Sequence, residues 1–255
     1  MASGVYMPIA AQAQTTPSTT VEIGELGPQV RVSLKVGDTL RIVLPSTPST
    51  GYSWRPGGND TPAAIQLKTS TFKSGQQRPG AAGSQTITLT ANSPGEDHLV
   101  LSYARPWEKG TKPARTYSVN IVVSSAGASP DLPVVTPAGT LLGTYSGKSR
   151  CADCSGILTT LAFYATAPQQ MTDTYYVRTT KYLGSPKGDT AFVSAGNWSL
   201  KTGTAVDPKA VVYSLHSNTS DHVDDYQLKD DSLLVIGSDG KPAQNPYNTN
   251  LQKQP

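Results

Sequence analysis

The chain has 255 residues, of which 36% are hydrophobic and 15% are charged, and its formal net charge is +3. This length is enough for two compact domains, and the low charge content excludes a disordered polyelectrolyte. The excess positive charge is small and unclustered, which excludes a basic nucleic-acid-binding surface. No stretch reaches the roughly 18 apolar residues that a membrane-spanning helix needs. With 23 Gly and 20 Pro between runs rich in Thr and Val, the composition predicts short strands and tight turns.

Residues 1–19 are predicted to be a signal-peptide remnant or a disordered N-terminus. The tripeptide Ala11-Gln12-Ala13 has the small-x-small form of a signal-peptidase site, although no Lys or Arg precedes it. No Cys follows this site, so a lipid anchor is not indicated. We therefore expect a periplasmic or secreted protein.

The first half contains five runs in which apolar and polar residues alternate. The runs lie at residues 30–36, 40–44, 87–91, 99–103 and 117–123. Such alternation predicts strands with one face buried and one face in water. Five strands in about a hundred residues, with long connections between some of them, predict an immunoglobulin-like β-sandwich over residues 20–125.

Residues 126–137 are rich in Pro and small residues, which predicts a semi-extended linker. A second series of strands begins near Gly139, and the candidates are residues 141–146, 157–164, 174–182, 192–200, 210–215, 225–228 and 233–236. Short turns join them in chain order, which predicts a lipocalin-like meander barrel over residues 138–255 with a frayed tail after Gly240. The predicted fold class is therefore all-β, a sandwich followed by a small barrel.

Three loops of the predicted sandwich carry residue types that suit a protein–protein contact. They are Thr47-Pro48-Ser49-Thr50-Gly51-Tyr52, Gly80-Ala81-Ala82-Gly83 and Arg105-Pro106-Trp107. Their order and spacing resemble the chagasin family of cysteine-protease inhibitors, whose loops read N-P-T-T-G-[YF], G-x-G-G and R-P-[WF]. The resemblance covers residues 20–125. It implies a sandwich whose three loops contact a papain-like cysteine protease, with the first loop entering the cleft and the others at its sides.

Two positions depart from the family pattern. Thr47 stands where the family has Asn, which can bond its own backbone and tolerates the left-handed region. Ala82 stands where the family has Gly, and its Cβ resists positive φ. We expect inhibition to survive both changes, with a different potency or choice of target.

The residue types of the loops fit this function on physical grounds. A competitor must fill the groove above the catalytic thiolate without offering a peptide bond in the attack geometry. Pro48 and Gly51 restrict the first loop, which lowers the entropy lost on binding. Trp107 and Tyr52 are of the residue types that contribute most of the binding energy at protein interfaces. Arg105 can hydrogen-bond to the rim of the partner's surface or stack on an aromatic ring there. In the alternative interpretation, both aromatic residues belong to the core and Arg105 only ends a strand.

The second half has one local signature, Cys151-Ala152-Asp153-Cys154-Ser155-Gly156-Ile157. This turn resembles the N-terminal domain of the copper-resistance lipoprotein NlpE family, and the resemblance covers residues 138–253. A redox pair is disfavoured, because no βαβ unit precedes it. Cys151 and Cys154 could hold Cu(I), or they could form a disulfide, as the only two cysteines in an oxidising compartment would. The disulfide is favoured, and no other cofactor is indicated.

No Ser-His-Asp set, phosphate-binding loop or paired-carboxylate site occurs, so we expect no enzymatic activity. The expected partner is a papain-like cysteine protease, with no nucleic acid and no membrane span, and the sequence indicates no oligomeric state. Two alternatives remain open at this point. The chain could be an envelope stress or copper-handling protein that uses the Cys turn, or a lipocalin-like carrier of a small apolar ligand.

Overall fold

A computed structural model describes residues 18–57, 62–76, 80–127, 132–185, 190–217, 223–243 and 250–255. Within these ranges it contains strands and one short 3-10 turn, and no α-helix. The predicted all-β fold class is confirmed. Residues 1–17, with the predicted signal-peptidase site, lie outside the described residues.

The strands fall into two groups along the chain. Those of the first group are β1 (Thr20–Ile23), β2 (Val30–Lys35), β3 (Thr39–Ser46), β4 (Ser53–Gly57), β5 (Ile65–Ser74), β6 (Gly83–Ala91), β7 (Gly95–Ala104), β8 (Arg115–Ser124) and β9 (Val134–Thr136). Those of the second group are β10 (Thr140–Ser149), β11 (Gly156–Ala167), β12 (Thr172–Leu183), β13 (Thr190–Thr202), β14 (Val211–His216), β15 (Val223–Lys229), β16 (Ser232–Val235) and β17 (Leu251–Lys253).

The first group forms a sandwich of two sheets. One sheet has the order β1-β3-β6-β5 and the other has the order β4-β7-β8-β2-β9. The side chains at the predicted apolar positions face inward. Ile42 and Leu44 of β3, Ile87 of β6, and Val119 and Ile121 of β8 are all buried. Their apolar surfaces form the core between the sheets.

The second group closes into an eight-stranded barrel. Its strands pair in the order β12-β11-β10-β17-β16-β15-β14-β13, and the pairing of β12 with β13 completes the ring. The middle of the barrel is filled by aromatic side chains around Phe163. The centroid of its ring lies 5.9 Å from that of Tyr145, 5.3 Å from that of Trp198 and 4.8 Å from that of Tyr213.

The short strand β1 joins the sandwich to the barrel. It pairs in parallel with β3, where Val21 lies opposite Leu40, and in parallel with β13, where Val21 lies opposite Val193. Val21 and Ile23 are fully buried, and Val193 belongs to the same apolar cluster as the sandwich core. The two halves therefore share one continuous sheet, and the sandwich core extends to β13 at this junction, while the barrel interior forms a second apolar cluster.

Three predicted boundaries differ from the structure. Thr19 belongs to the sandwich, since its backbone N–H donates to the Asp38 carboxylate at 2.7 Å. The segment predicted to be a linker contributes β9, which pairs with β2 and buries Val135. The prediction of a frayed tail after Gly240 is wrong at its end, because β17 pairs with both β10 and β16 and thereby closes the barrel.

Among the residues that the structure describes, no helix is long and apolar enough to span a membrane.

Leu251 tests whether the C-terminal strand stabilises the barrel. Its side chain is 1% exposed in the barrel core, so the Leu251→Ala change should lower the free energy of unfolding by about 2–4 kcal/mol. The matched control is Leu141→Ala, since Leu141 on β10 is 51% exposed and its removal should change stability by less than about 0.5 kcal/mol. Urea denaturation of both variants measures the difference, and equal stabilities would mean that β17 does not contribute to the core.

Candidate functional site

The three predicted loops lie at the same end of the sandwich. Loop 1 (residues 47–52) joins β3 to β4, loop 2 (residues 80–83) leads into β6, and loop 3 (residues 105–108) follows β7. Because β3 and β6 are antiparallel neighbours and β4 pairs with β7, the ends of these strands meet at one edge of the two sheets. The topology thus brings together residues that lie far apart in the sequence.

Loop 1 is a tight turn held by its own hydrogen bonds. Pro48–Thr50 forms a single 3-10 turn, and Gly51 ends it in the left-handed region with φ 84°. The Gly51 N–H donates to the Pro48 carbonyl at 2.8 Å, and the Thr50 hydroxyl donates to the Thr47 carbonyl at 2.6 Å. Thr47 has a negative φ of −133°, so it does not occupy the left-handed region that Asn tolerates better than other residues. The departure from Asn therefore puts no strain on this loop.

Arg105 connects loop 3 to loop 1. Its Nε donates to the Thr50 carbonyl at 3.0 Å, and its guanidinium lies 4.5 Å from the centroid of the Tyr52 ring. Its Nη1 also donates to the Glu108 carboxylate at 2.8 Å, and this hydrogen bond raises the pKa of Arg105. A planar guanidinium can make these bonds and stack at the same time, which an ammonium group cannot do.

Loop 2 is connected to loop 1 by a single hydrogen bond. The Ser49 hydroxyl donates to the Gly80 carbonyl at 3.1 Å, and Gly80 has a φ of 78° that favours glycine. Ala82, by contrast, is not among the non-glycine residues with positive φ, so its Cβ meets no backbone penalty. Gly83 must lack a side chain, because a Cβ there would lie 2.1 Å from the Lys73 carbonyl oxygen across the hairpin.

Trp107 is the largest exposed side chain of the three loops. It is 66% exposed, whereas Trp54 and Trp198 are buried. Its indole lies directly over Gly51, where an added Cβ would come within 2.5 Å of the ring. The interpretation of Trp107 as an ordinary core aromatic is therefore wrong. Loops 1 and 3 instead present one joint surface, with Pro48, Ser49, Thr50 and Trp107 exposed and Tyr52 and Arg105 half-buried beside them.

Two residues that support this surface were not predicted from the sequence. Tyr103 stacks between Tyr52 and Trp54, with ring centroids 5.4 Å and 5.0 Å away, and its hydroxyl accepts a hydrogen bond from the Thr47 N–H at 2.8 Å. Gln85 is buried and bonds both the N–H and the carbonyl of Trp54 at 2.8 Å. Their only signal in the sequence is that Tyr103 and Gln85 end or begin alternating runs next to the loops.

The second predicted site, the Cys turn, lies at one end of the barrel. Cys151 and Cys154 form a disulfide in the turn between β10 and β11, as predicted. The turn is held to the neighbouring strand by the Ser155 N–H, which donates to the Leu183 carbonyl at 2.8 Å. Ligand atoms of Cys151, Asp153 and Cys154 lie within 4.8 Å of one another. In the disulfide state neither sulfur is a thiolate, the form that binds metals.

The structure is a two-sheet sandwich joined to a barrel, with three loops hydrogen-bonded to one another at one edge, and comparison with known proteins identifies both halves. Residues 33–121 match the family model described as "Chagasin family peptidase inhibitor I42". Residues 145–245 match the model of the NlpE N-terminal domain. Both resemblances noted in the sequence are confirmed.

Individual relatives agree with the first match. Amoebiasin-2 of Entamoeba histolytica is 32% identical over 94 residues, which cover 35% of this chain and 74% of that protein. Chagasin of Trypanosoma cruzi is 26% identical, over 34% of this chain and 84% of its own length. A crystal structure of the cysteine protease inhibitor EhICP2 from Entamoeba histolytica is 28% identical, covers 42% of this chain and 99% of its own, and has a TM-score of 0.37.

The chain therefore belongs to the chagasin family of peptidase inhibitors. Members of this family are inhibitors and not enzymes, which confirms the prediction that the chain has no enzymatic activity.

The contact between Gly51 and Trp107 can be tested without a protease. In Gly51→Ala the new methyl group would collide with the indole, so the NMR signal of the Trp107 indole N–H should shift and its ring should move. Gly37→Ala is the matched control, because Gly37 also has positive φ, at 96°, but has no atoms within 4 Å of an added Cβ. Both changes should destabilise the fold by about 1–3 kcal/mol through backbone strain. An unchanged indole signal in Gly51→Ala would mean that loops 1 and 3 are not in contact.

Proposed function

We propose that this chain is a reversible inhibitor of papain-like cysteine proteases, with loop 1 inserted into the active-site cleft and loops 2 and 3 at its sides. The observation that carries the proposal is the direct bonding of all three loops at one end of the sandwich. Ser49 bonds loop 2, and Arg105 bonds the Thr50 carbonyl from loop 3. Membership of the chagasin family supports the same function.

The shape of loop 1 explains why it would block a protease without being cut. The attacking thiolate needs a peptide carbonyl presented in a near-attack geometry. Residues 48–50 instead form a closed turn, and the Pro48 carbonyl already accepts the Gly51 N–H. Inserting this turn into the groove displaces substrate while keeping its own carbonyl groups out of the attack direction.

The affinity of such a complex would come from preorganisation and from Trp107. Loops fixed by hydrogen bonds before binding lose little conformational entropy when they bind. Trp107 presents a large amphipathic ring beside loop 1, and residues of this type account for most of the binding energy at interfaces. Arg105 cannot act as a free cation at the rim, because it already bonds Thr50 and Glu108. Its main effect would be to hold loop 1 against Trp107.

The proposed location of this activity is the periplasm or the extracellular space. The disulfide between Cys151 and Cys154 supports it, because disulfides persist mainly in oxidising compartments. A secreted papain-like protease would meet the inhibitor in the same compartment.

Titration of the whole chain against papain with a fluorogenic peptide substrate tests the proposal. We expect competitive inhibition, and Trp107→Ala should raise the inhibition constant about 30-fold, equivalent to about 2 kcal/mol. Phe192→Ala is the control, because Phe192 is an exposed aromatic residue on the barrel and its removal should leave the inhibition constant unchanged.

Two results would contradict the proposal. The first is the absence of inhibition of papain by the folded chain. The second is equal inhibition by wild type, Trp107→Ala and a variant in which Thr50 and Gly51 are both replaced.

Copper binding by the Cys turn is a second proposal, limited to the reduced protein. It is favoured by the closeness of the donor atoms of Cys151, Asp153 and Cys154, and two thiolates suit the soft ion Cu(I). After reduction with an excess of phosphine, the protein should bind Cu(I) stoichiometrically, and Cys151→Ser should abolish this binding without changing the inhibition of papain. Equal copper uptake by the reduced wild type and by Cys151→Ser would mean that copper binds at another site.

A further inference from the structure

The end of the barrel that carries the disulfide turn contains a polar cavity that the inhibitor function does not use. The aromatic residues around Phe163 fill the middle of the barrel. Beyond them a cavity of about 290 Å³ remains. It is lined by Thr159, Arg178, Thr180, Tyr182, Phe192, Ser194 and Tyr226.

The strands around this cavity differ in length. Strand β14 ends at His216, which pairs with Asn197 in the middle of β13. The remaining half of β13 continues to Thr190 and is paired on that edge by β1 of the sandwich. Among the described residues, β14 therefore covers only the part of β13 from Asn197 onward, and β1 covers part of the rest.

The cavity contains a charge pair and hydroxyl groups. Arg178 on β12 donates to the Asp224 carboxylate on β15 at 2.7 Å, so the single positive charge of the lining is neutralised. Burial raises the pKa of Tyr226, which keeps its phenol protonated at neutral pH. Thr159, Thr180 and Ser194 contribute further hydroxyls that can both donate and accept.

A neutralised pair of this kind disfavours charged ligands. An anion on Arg178 would lie beside the Asp224 carboxylate, and a cation on Asp224 would lie beside the guanidinium. A neutral ligand meets the N–H donors of Arg178 beside hydroxyl groups that can donate and accept, and hydrogen bonds to charged groups are stronger than those between neutral groups. The polar lining therefore fits a neutral ligand with several hydroxyl groups.

The rim adds an aromatic surface. Phe192 is 49% exposed, and its ring lies edge-to-face with Tyr182 at 6.1 Å. The faces of such rings carry partial negative charge and attract the slightly positive C–H groups of a ligand. A ligand with one C–H face and hydroxyls around its edge would satisfy both the rim and the interior.

We propose that this cavity binds one pyranose unit of a carbohydrate, which would pack its C–H face on Phe192 and bond its hydroxyls to Arg178 and to the hydroxyl groups of Thr180 and Ser194. The volume supports one ring, because it lies just below the range of about 300–1,000 Å³ that holds drug-sized ligands.

The probes for the test are the methyl glycosides of glucose, galactose, mannose and N-acetylglucosamine, titrated into the whole chain by calorimetry and NMR. At least one of them should bind saturably with a Kd of about 1 mM, as expected for one small ring. Phe192→Ala should weaken that binding about tenfold or more. The double variant Arg178→Gln with Asp224→Asn, which keeps both side chains polar but removes both charges, should weaken it as well.

The control for the aromatic change is Trp107→Ala, which removes an exposed ring from the other domain and should leave glycoside binding intact. Any one of three results would overturn the proposal: no saturable binding of any of these glycosides, equal or tighter binding of cyclohexanol or acetate at the cavity, or glycoside binding that Phe192→Ala leaves unchanged. Whatever the result of the glycoside titration, Phe192→Ala should inhibit papain as strongly as wild type does, so this site and the inhibitor site are tested separately.

Discussion

At the exposed end of the sandwich, the Arg105 guanidinium joins two loops whose bonded residues are 55 positions apart in the chain. Its bond to the Thr50 carbonyl and its stacking on Tyr52 hold loop 1 in the position where Trp107 can cover Gly51. Loop 2 depends on the same arrangement, because its bond comes from Ser49 in the turn that Arg105 supports. Without this connection, the three loops would be separate turns that each lose entropy on binding.

The rigidity of the loop end continues into the rest of the molecule. Tyr52 stacks on Tyr103, Tyr103 on Trp54, and Trp54 is part of the sandwich core. At the other end of β3, the strand β1 extends the same core to the barrel through Val21. Because β1 pairs with the first half of β3 and loop 1 follows its last residue, the barrel is attached away from the loops. The junction thus leaves the loop surface uncovered and adds a second domain with its own cavity.

The sequence predicted what is encoded locally and missed what depends on distant partners. The alternating runs gave the major strands, and the three motifs marked the loops that the fold brings together. Strand β1 was missed because four residues with two buried positions carry too little pattern, and its parallel partners lie far away. Strand β17, which contains Leu251, was missed for the same reason, because it lies in a polar tail and pairs with β10 and β16. The role of Tyr103 could not be predicted, since its contacts with Tyr52 and Thr47 exist only after β4 has paired with β7.

Hydrogen exchange of the backbone amides, measured on the protein alone and with an excess of papain, tests the central claim most directly. If the three loops act as one rigid edge, residues 47–52, 80–83 and 105–108 should all gain protection in the complex, while the barrel strands β10 to β17 stay unchanged. Protection confined to a single loop, or found mainly in the barrel, would contradict the account.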